Sequence, residues 1–164
     1  MIKGKIHKFG ANIDTDAIIP SRYANMTAPA HLGQHCMEGI TPEFSQQVQP
    51  GDIIMATTNF GCGSSREVAP ISIKGAGVAC VVAKTFARIF FRNAINIALP
   101  LLECAEAVDN TDPGDEVQID LSSGTIRNIT KGKEFSAASY PDFLRNIIDA
   151  GGLIAYTKDR KQDS

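Results

Sequence analysis

Six consecutive apolar residues, Val78 to Ala83 (Val-Ala-Cys-Val-Val-Ala), constrain the fold of this chain more than any other segment. A strand with one wet face alternates apolar and polar side chains. An unbroken apolar run belongs to a strand covered on both faces, as in a parallel sheet flanked by helices. The neighbouring segments fit that arrangement. Asp52 to Ala56 reads as a strand, Ser64 to Lys74 as a helix, and Gly75-Ala76-Gly77 as its stop. Thr85 to Ile97 has helical spacing, with Phe86, Ile89, Phe90, Asn93 and Ile97 along one side. Pro100-Leu101-Leu102 then opens a third strand. Strand, helix, strand, helix, strand in close succession predicts βαβ packing.

The flanks are less regular. Ile2 to Phe9 and Ile13 to Ile19 read as short strands, Pro20 to Pro29 as a loop, and His31 to Met37 as a short helix. Downstream, Glu116 to Leu121 alternates, Ser122-Ser123-Gly124 turns, and Thr125 to Thr130 runs back, which predicts a β-hairpin. Pro141 to Ala150 reads as a helix stopped by Gly151-Gly152. Leu153 to Tyr156 follows, and the polar tail from Lys158 to Ser164 is expected to fray. The 164 residues suit one compact α/β domain with a real core.

A net charge of −2 gives no general electrostatic grip on nucleic acid. The first ten residues lack the apolar run of a secretory signal, and no stretch is long and apolar enough to span a bilayer, so the expected address is the cytoplasm and no membrane partner is expected. Cysteines at 36, 62, 80 and 104 form no C-x-x-C pair. That spacing offers neither a zinc knuckle nor a self-contained iron–sulfur motif, and the expectation is free thiols with no bound metal.

The chemically richest segment is Asn59-Phe60-Gly61-Cys62-Gly63-Ser64-Ser65-Arg66-Glu67. Its glycines let the backbone turn sharply just ahead of a helix, whose first N–H groups attract anions. Arg66 in the first helical turn would be a cation where the dipole disfavours one, which points to a carboxylate or phosphate ligand. A purely structural reading competes: Ser64-Ser65-Arg66-Glu67 fits a capping box, with Ser64 as the cap and Glu67 reaching back. That reading leaves Arg66 and the doubled serine unexplained. A P-loop is excluded because no lysine follows, and a nucleophile elbow because residues 61 to 65 read G-C-G-S-S.

With Lys84-Thr85-Phe86-Ala87-Arg88-Ile89 and Asn93, this loop closely resembles the swivelling domain of the aconitase superfamily. Asn12-Ile13-Asp14-Thr15-Asp16-Ala17-Ile18-Ile19-Pro20 and His35-Cys36-Met37 resemble its two-subunit branch, the small subunits of 3-isopropylmalate dehydratase and homoaconitase. The likeness covers nearly the whole chain, and the short length resembles the compact, archaeal-type form. It implies a single β/β/α swivelling domain over residues 1–164. It also implies a hydro-lyase that is active only with a large subunit, and a [4Fe-4S] cluster carried by that partner. By the same resemblance Ser64 is the catalytic base, and Ser65 and Arg66 bind a substrate carboxylate. Relatives often continue S-S-R-E-H-A, whereas Val68 stands here, a departure that fits a core role and gives no proton relay.

The resemblance further assigns Tyr23, Ala24, Asn25 and Met26 to a loop that contacts the substrate's variable group. No arginine occupies residues 24 to 26, and Met26 is a flexible apolar contact, so an alkyl-bearing malate is favoured over a tricarboxylate; Arg22 lies just outside. Isopropylmalate comes first, with homoaconitate, dimethylmalate and citramalate-type substrates behind it. A non-catalytic anion-binding module is the alternative of a different class. Asp14 and Asp16 read as structural turn residues, Arg88 and Arg92 as surface arginines, and His7, His31 and His35 are given no role.

Overall fold

A computed structural model describes residues 1–138 and 140–162. The central strands follow from their apolar runs. Strands β1 (Ile2–Lys8), β2 (Ile53–Ala56), β3 (Cys80–Ala83) and β4 (Leu101–Glu103) are parallel to one another, in the order β4-β3-β2-β1. Every residue of β2 and β3 is fully buried, which is why their sequences do not alternate. The side chains still alternate in direction: Ile54, Ala56, Val81 and Ala83 enter one core, and Ile53, Met55, Cys80 and Val82 enter another on the opposite face.

Strand β1 joins two kinds of sheet. Ile6–Lys8 pairs in parallel with β2, whereas Ile2–Lys5 pairs antiparallel with β5 (Glu116–Asp120). Beyond β5 lie β6 (Thr125–Asn128) and β7 (Lys133–Ser136), both antiparallel, which completes seven strands. The expected hairpin is therefore a three-stranded meander. Its last strand, Lys-Glu-Phe-Ser, buries only Phe135 and so carried almost no periodic signal.

The helices start where local chemistry allows. Residues 13–19 form not a strand but the single turn α1 (Thr15–Ile18), because the Asp14 carboxylate accepts the Ala17 N–H at 2.7 Å and caps it. Helices α2 (Pro29–Gly33) and α3 (Phe44–Gln47) are short, the second unforeseen. Helix α4 covers Val68–Gly75 rather than starting at Ser64. Pro70 sets that boundary: it has no N–H and is tolerated only in the first turn, where none is needed. Arg66 thus precedes the helix instead of occupying its first turn.

Helix α5 (Arg88–Asn96) buries Phe90, Ala94 and Ile95, while Ile89 of the expected apolar stripe is 52% exposed. Next comes α6 (Ala105–Asp109), missed in the sequence, followed by α7 (Asp142–Asp149). Helix α8 (Leu153–Gln162) carries the backbone through most of the segment expected to fray. The end of that expected tail, residues 163–164, lies outside the described residues. Among the described residues no helix is long and apolar enough to cross a membrane.

Asp52 ties the start of β2 to β1. Its carboxylate accepts the Lys5 N–H at 3.1 Å and the Gln49 N–H at 2.9 Å, and lies 2.8 Å from His7 Nε2. Burial opposes its ionisation, but the hydrogen bonds from His7, Gln49 and Lys5 outweigh that and hold its pKa below the usual carboxylate value. A lowered folded-state pKa means stability that is fully present above the unfolded-state value of about 4 and lost as pH falls through the folded one. Asp52→Ala is expected to lower unfolding stability by about 2 kcal/mol or more at neutral pH, since it strands two backbone donors. It should also flatten the acid limb of stability against pH, measured by urea unfolding at a series of pH values.

Candidate active site

The serine loop is held in place by a buried ring. Phe60 is fully buried, edge-on to Phe90 at 5.3 Å and to Phe86 at 6.1 Å. The next residue has φ +86°, and a β-carbon on Gly61 would lie 2.2 Å from Phe90 Cγ. Only glycine satisfies both the dihedral and the contact.

A second loop runs parallel to it. Asn12 N–H donates to Thr58 O at 2.8 Å, Gly61 N–H to Ile13 O at 2.7 Å, and Thr15 N–H to Cys62 O at 2.9 Å. This pairing brings two side chains that were read as structural, or not singled out, against the serine loop. Buried Thr15 places Oγ1 3.1 Å from Ser64 Oγ. Asp16 Oδ1 accepts from Arg66 Nη1 at 2.7 Å, and the same nitrogen reaches Ile19 O at 3.5 Å. Asp14 remains a helix cap.

The capping-box reading of the serines is removed by the geometry. Glu67 stands at the cap position of α4 with helical dihedrals (φ −65°, ψ −27°), and no side chain caps that helix. Ser64 O accepts the Arg66 N–H at 2.9 Å, which shapes the turn, but Ser64 Oγ makes its hydrogen bond to Thr15. The Ser64 hydroxyl is therefore not consumed in holding up a helix. Both Ser64 and Ser65 are exposed.

Opposite them lies the start of α5. A cleft of about 180 Å³ is lined by Thr15, Gly63, Ser64, Ser65 and Arg66 on one side and by Ala87, Arg88, Ile89 and Asn93 on the other. No side chain caps α5, so the helix start that can polarise this cleft is that of α5 rather than the one expected at Ser64. Exposed Ile89 is explained by its place in the cleft wall. Thr15 and Ile89 line this candidate cleft and Asp16 braces Arg66 beside it, positions the sequence alone does not predict. The Asp-Thr-Asp motif was visible but was read as strand and turn, and Ile89 was absorbed into an apolar stripe.

Tyr23, Ala24, Asn25 and Met26 do not line this cleft. Tyr23 ends a 3₁₀ turn, Ser21–Tyr23, and the other three follow it, just after Ile19, whose carbonyl Arg66 reaches. Ala24 and Asn25 are exposed, Tyr23 is half-buried, and Met26 packs partly on the core. Val68 is half-buried against the same core. Among the described residues no group of three or more His, Cys, Asp or Glu side chains is placed to hold a metal. The cysteines are free; burial pushes the Cys36 thiol up to about 12, and Cys62 is the partly exposed one.

The chain is similar to known proteins of one kind. Residues 41–107 match the model of the aconitase C-terminal domain family. The 3-isopropylmalate dehydratase small subunit of Caldicellulosiruptor bescii is 58% identical over all of this chain and 99% of its own length. That of Clostridioides difficile is 60% identical over 92% of this chain and 93% of its own. The crystal structure of a 3-isopropylmalate dehydratase from Methanocaldococcus jannaschii superimposes with a TM-score of 0.94 at 48% identity, covering 98% of this chain and 95% of that one.

Gly61→Ala is expected to cost about 2 kcal/mol or more, from a positive φ and the collision with the Phe90 ring. A drop in melting temperature with the fold retained by circular dichroism would meet this expectation; an unchanged melting temperature would contradict it.

Proposed function

The chain belongs to the family of 3-isopropylmalate dehydratase small subunits, and from that premise we propose how its serine loop takes part in catalysis. The chain is one component of a hydro-lyase that isomerises 2-isopropylmalate to 3-isopropylmalate by dehydration and rehydration, a step of leucine biosynthesis. Ser64 is the catalytic base and takes the proton beside a substrate carboxylate. The observation that carries this reading is the pairing of Ser64 Oγ with buried Thr15 Oγ1, in a loop where Ser64 caps no helix.

A serine hydroxyl is a weak base in water, so its alkoxide needs donors already in place. Thr15 supplies one at 3.1 Å. The uncapped start of α5 across the cleft adds a positive potential. Ser65 and Arg66 bind the adjacent substrate carboxylate, charge-assisted on the guanidinium. Asp16 occupies only Nη1, which leaves the other guanidinium nitrogens free of that pair and fixes the head group in orientation. Tyr23, Ala24, Asn25 and Met26 meet the substrate's variable group, and exposed Ile89 gives the cleft an apolar wall.

This chain offers no donor set for an iron–sulfur cluster among its described residues. The [4Fe-4S] cluster belongs to the large subunit and supplies the Lewis acid for the departing hydroxyl. The whole of residues 1–164 acts as a single swivelling domain that closes the shared site from one side. The complex works in the cytoplasm, with a small di- or tricarboxylic acid as substrate and without nucleic acid or membrane as partner.

Ser64→Ala, assembled anaerobically with the large subunit, is expected to lose roughly 10²–10⁴-fold in kcat while the complex still forms. Turnover within a factor of a few of the unmodified complex would remove Ser64 from the role of base. Iron should be found with the large subunit and not with this chain purified alone.

A further inference from the structure

The segment Ser21–Met26 has little regular structure to fix it, yet two of its side chains, Arg22 and Tyr23, converge on one carboxylate. Arg22 Nη2 donates to Glu38 Oε1 at 2.6 Å, and the Tyr23 hydroxyl donates to the same oxygen at 2.9 Å. The other oxygen of Glu38 lies 2.6 Å from His35 Nδ1. The Tyr23 ring stacks on the His35 imidazole at 3.8 Å and 12°, and the Arg22 guanidinium sits 4.7 Å from the Tyr23 ring centroid. One carboxylate therefore gathers a cation, a phenol and an imidazole.

The anchor is itself well founded. Met37, next to Glu38, is fully buried at φ +58°, and its N–H donates to Ile18 O at 2.6 Å. Gly39 N–H donates to Ala17 O at 3.2 Å. Glu38 is thus fixed to α1, the turn that also presents Asp16 to Arg66. Burial works against the ionised form of Glu38, but the hydrogen bonds from His35, Tyr23 and Arg22 prevail and hold its pKa below the ordinary range.

We propose that Glu38 is a specificity-determining residue: by neutralising and retaining Arg22, it makes the substrate loop present an uncharged surface suited to an alkyl group rather than a further carboxylate. The proposal rests on the reading that residues 23–26 meet the substrate's variable group. Arg22 is the loop's one cation, and its guanidinium would be the natural partner of a third substrate carboxylate. Paired with Glu38 through Nη2, it has its charge offset by the adjoining carboxylate while its side chain stays 64% exposed. The Tyr23 hydroxyl is committed to the same carboxylate, and its ring is stacked on His35.

The test uses the complete complex with the large subunit, and compares kcat/KM for 2-isopropylmalate with kcat/KM for a malate bearing a carboxylate-terminated side chain. Glu38→Gln keeps the shape and removes the charge. It should raise KM more than it lowers kcat for the alkyl substrate, and shift the ratio toward the tricarboxylate by about fivefold or more, the scale of one partly screened charge contact. Because the measure is a ratio, a smaller folded fraction lowers both rates alike and leaves it unmoved. Adding Arg22→Met to Glu38→Gln should reverse the gain, since the released guanidinium is then absent. A gain that survives Arg22→Met would overturn the proposal. Asn25→Arg, at an exposed loop position, tests the underlying reading separately. If Asn25→Arg shifts the ratio and Glu38→Gln does not, Glu38 has no such role while the loop still reads substrate. If neither shifts it, both fall.

Discussion

Two backbone hydrogen bonds, Gly61 N–H to Ile13 O and Thr15 N–H to Cys62 O, organise everything chemical in this molecule. They lay the Asp-Thr-Asp turn alongside the serine loop. Both loops leave the same end of the parallel strands, at the carboxyl ends of β1 and β2, where an open α/β sheet offers a crevice for ligands. Without that pairing, Thr15 has no route to Ser64 and Asp16 none to Arg66. The pairing in turn depends on Gly61, because a side chain there would displace the Phe90 ring against which Phe60 packs. Core packing and site geometry are thus the same constraint seen from two sides.

Charge around the site follows one pattern. Arg66 is held by Asp16, and Arg22 by Glu38, so each guanidinium is oriented by a carboxylate before any substrate arrives. Orientation matters because a bidentate or charge-assisted contact is worth most when the donor does not have to be ordered on binding. The two pairs differ in surroundings. Asp16 is 62% exposed in its side chain, whereas Glu38 is 21% exposed and shared among three donors. Arg66, itself 26% exposed, meets Asp16 and Ile19 O through Nη1 alone, whereas Arg22, 64% exposed, meets Glu38 through Nη2 and lies over the Tyr23 ring.

The central strands and helices α5 and α7 were legible in the sequence because apolar runs and 3.6-residue spacing decided them. The site was legible in its residues but not in its architecture. Ser64, Ser65 and Arg66 sit together as the loop sequence suggested, yet the helix they were expected to open begins at Val68. Pro70, tolerated only near a helix start, is the residue that marks this boundary. Asp14 turned a predicted strand into a capped turn, a local side-chain contact overriding β-branched and apolar residues at 13 and 18–19. Thr15 and Asp16 had no signal in spacing at all. They gain meaning only when a stretch some fifty positions away lies beside them, as their hydrogen bonds to Ser64 and Arg66 do across 49 and 50 residues.

Removal of the substrate's proton by the Ser64 oxygen is the central claim, and the most direct measurement follows that proton alone. A substrate deuterated at the carbon beside the carboxylate, incubated with the complete complex, is expected to lose its label with the unmodified chain. With Ser64→Ala it should keep the label over the same interval, even though it still binds. Label loss at an undiminished rate in the Ser64→Ala complex would contradict the account, whatever the effect of that substitution on overall turnover.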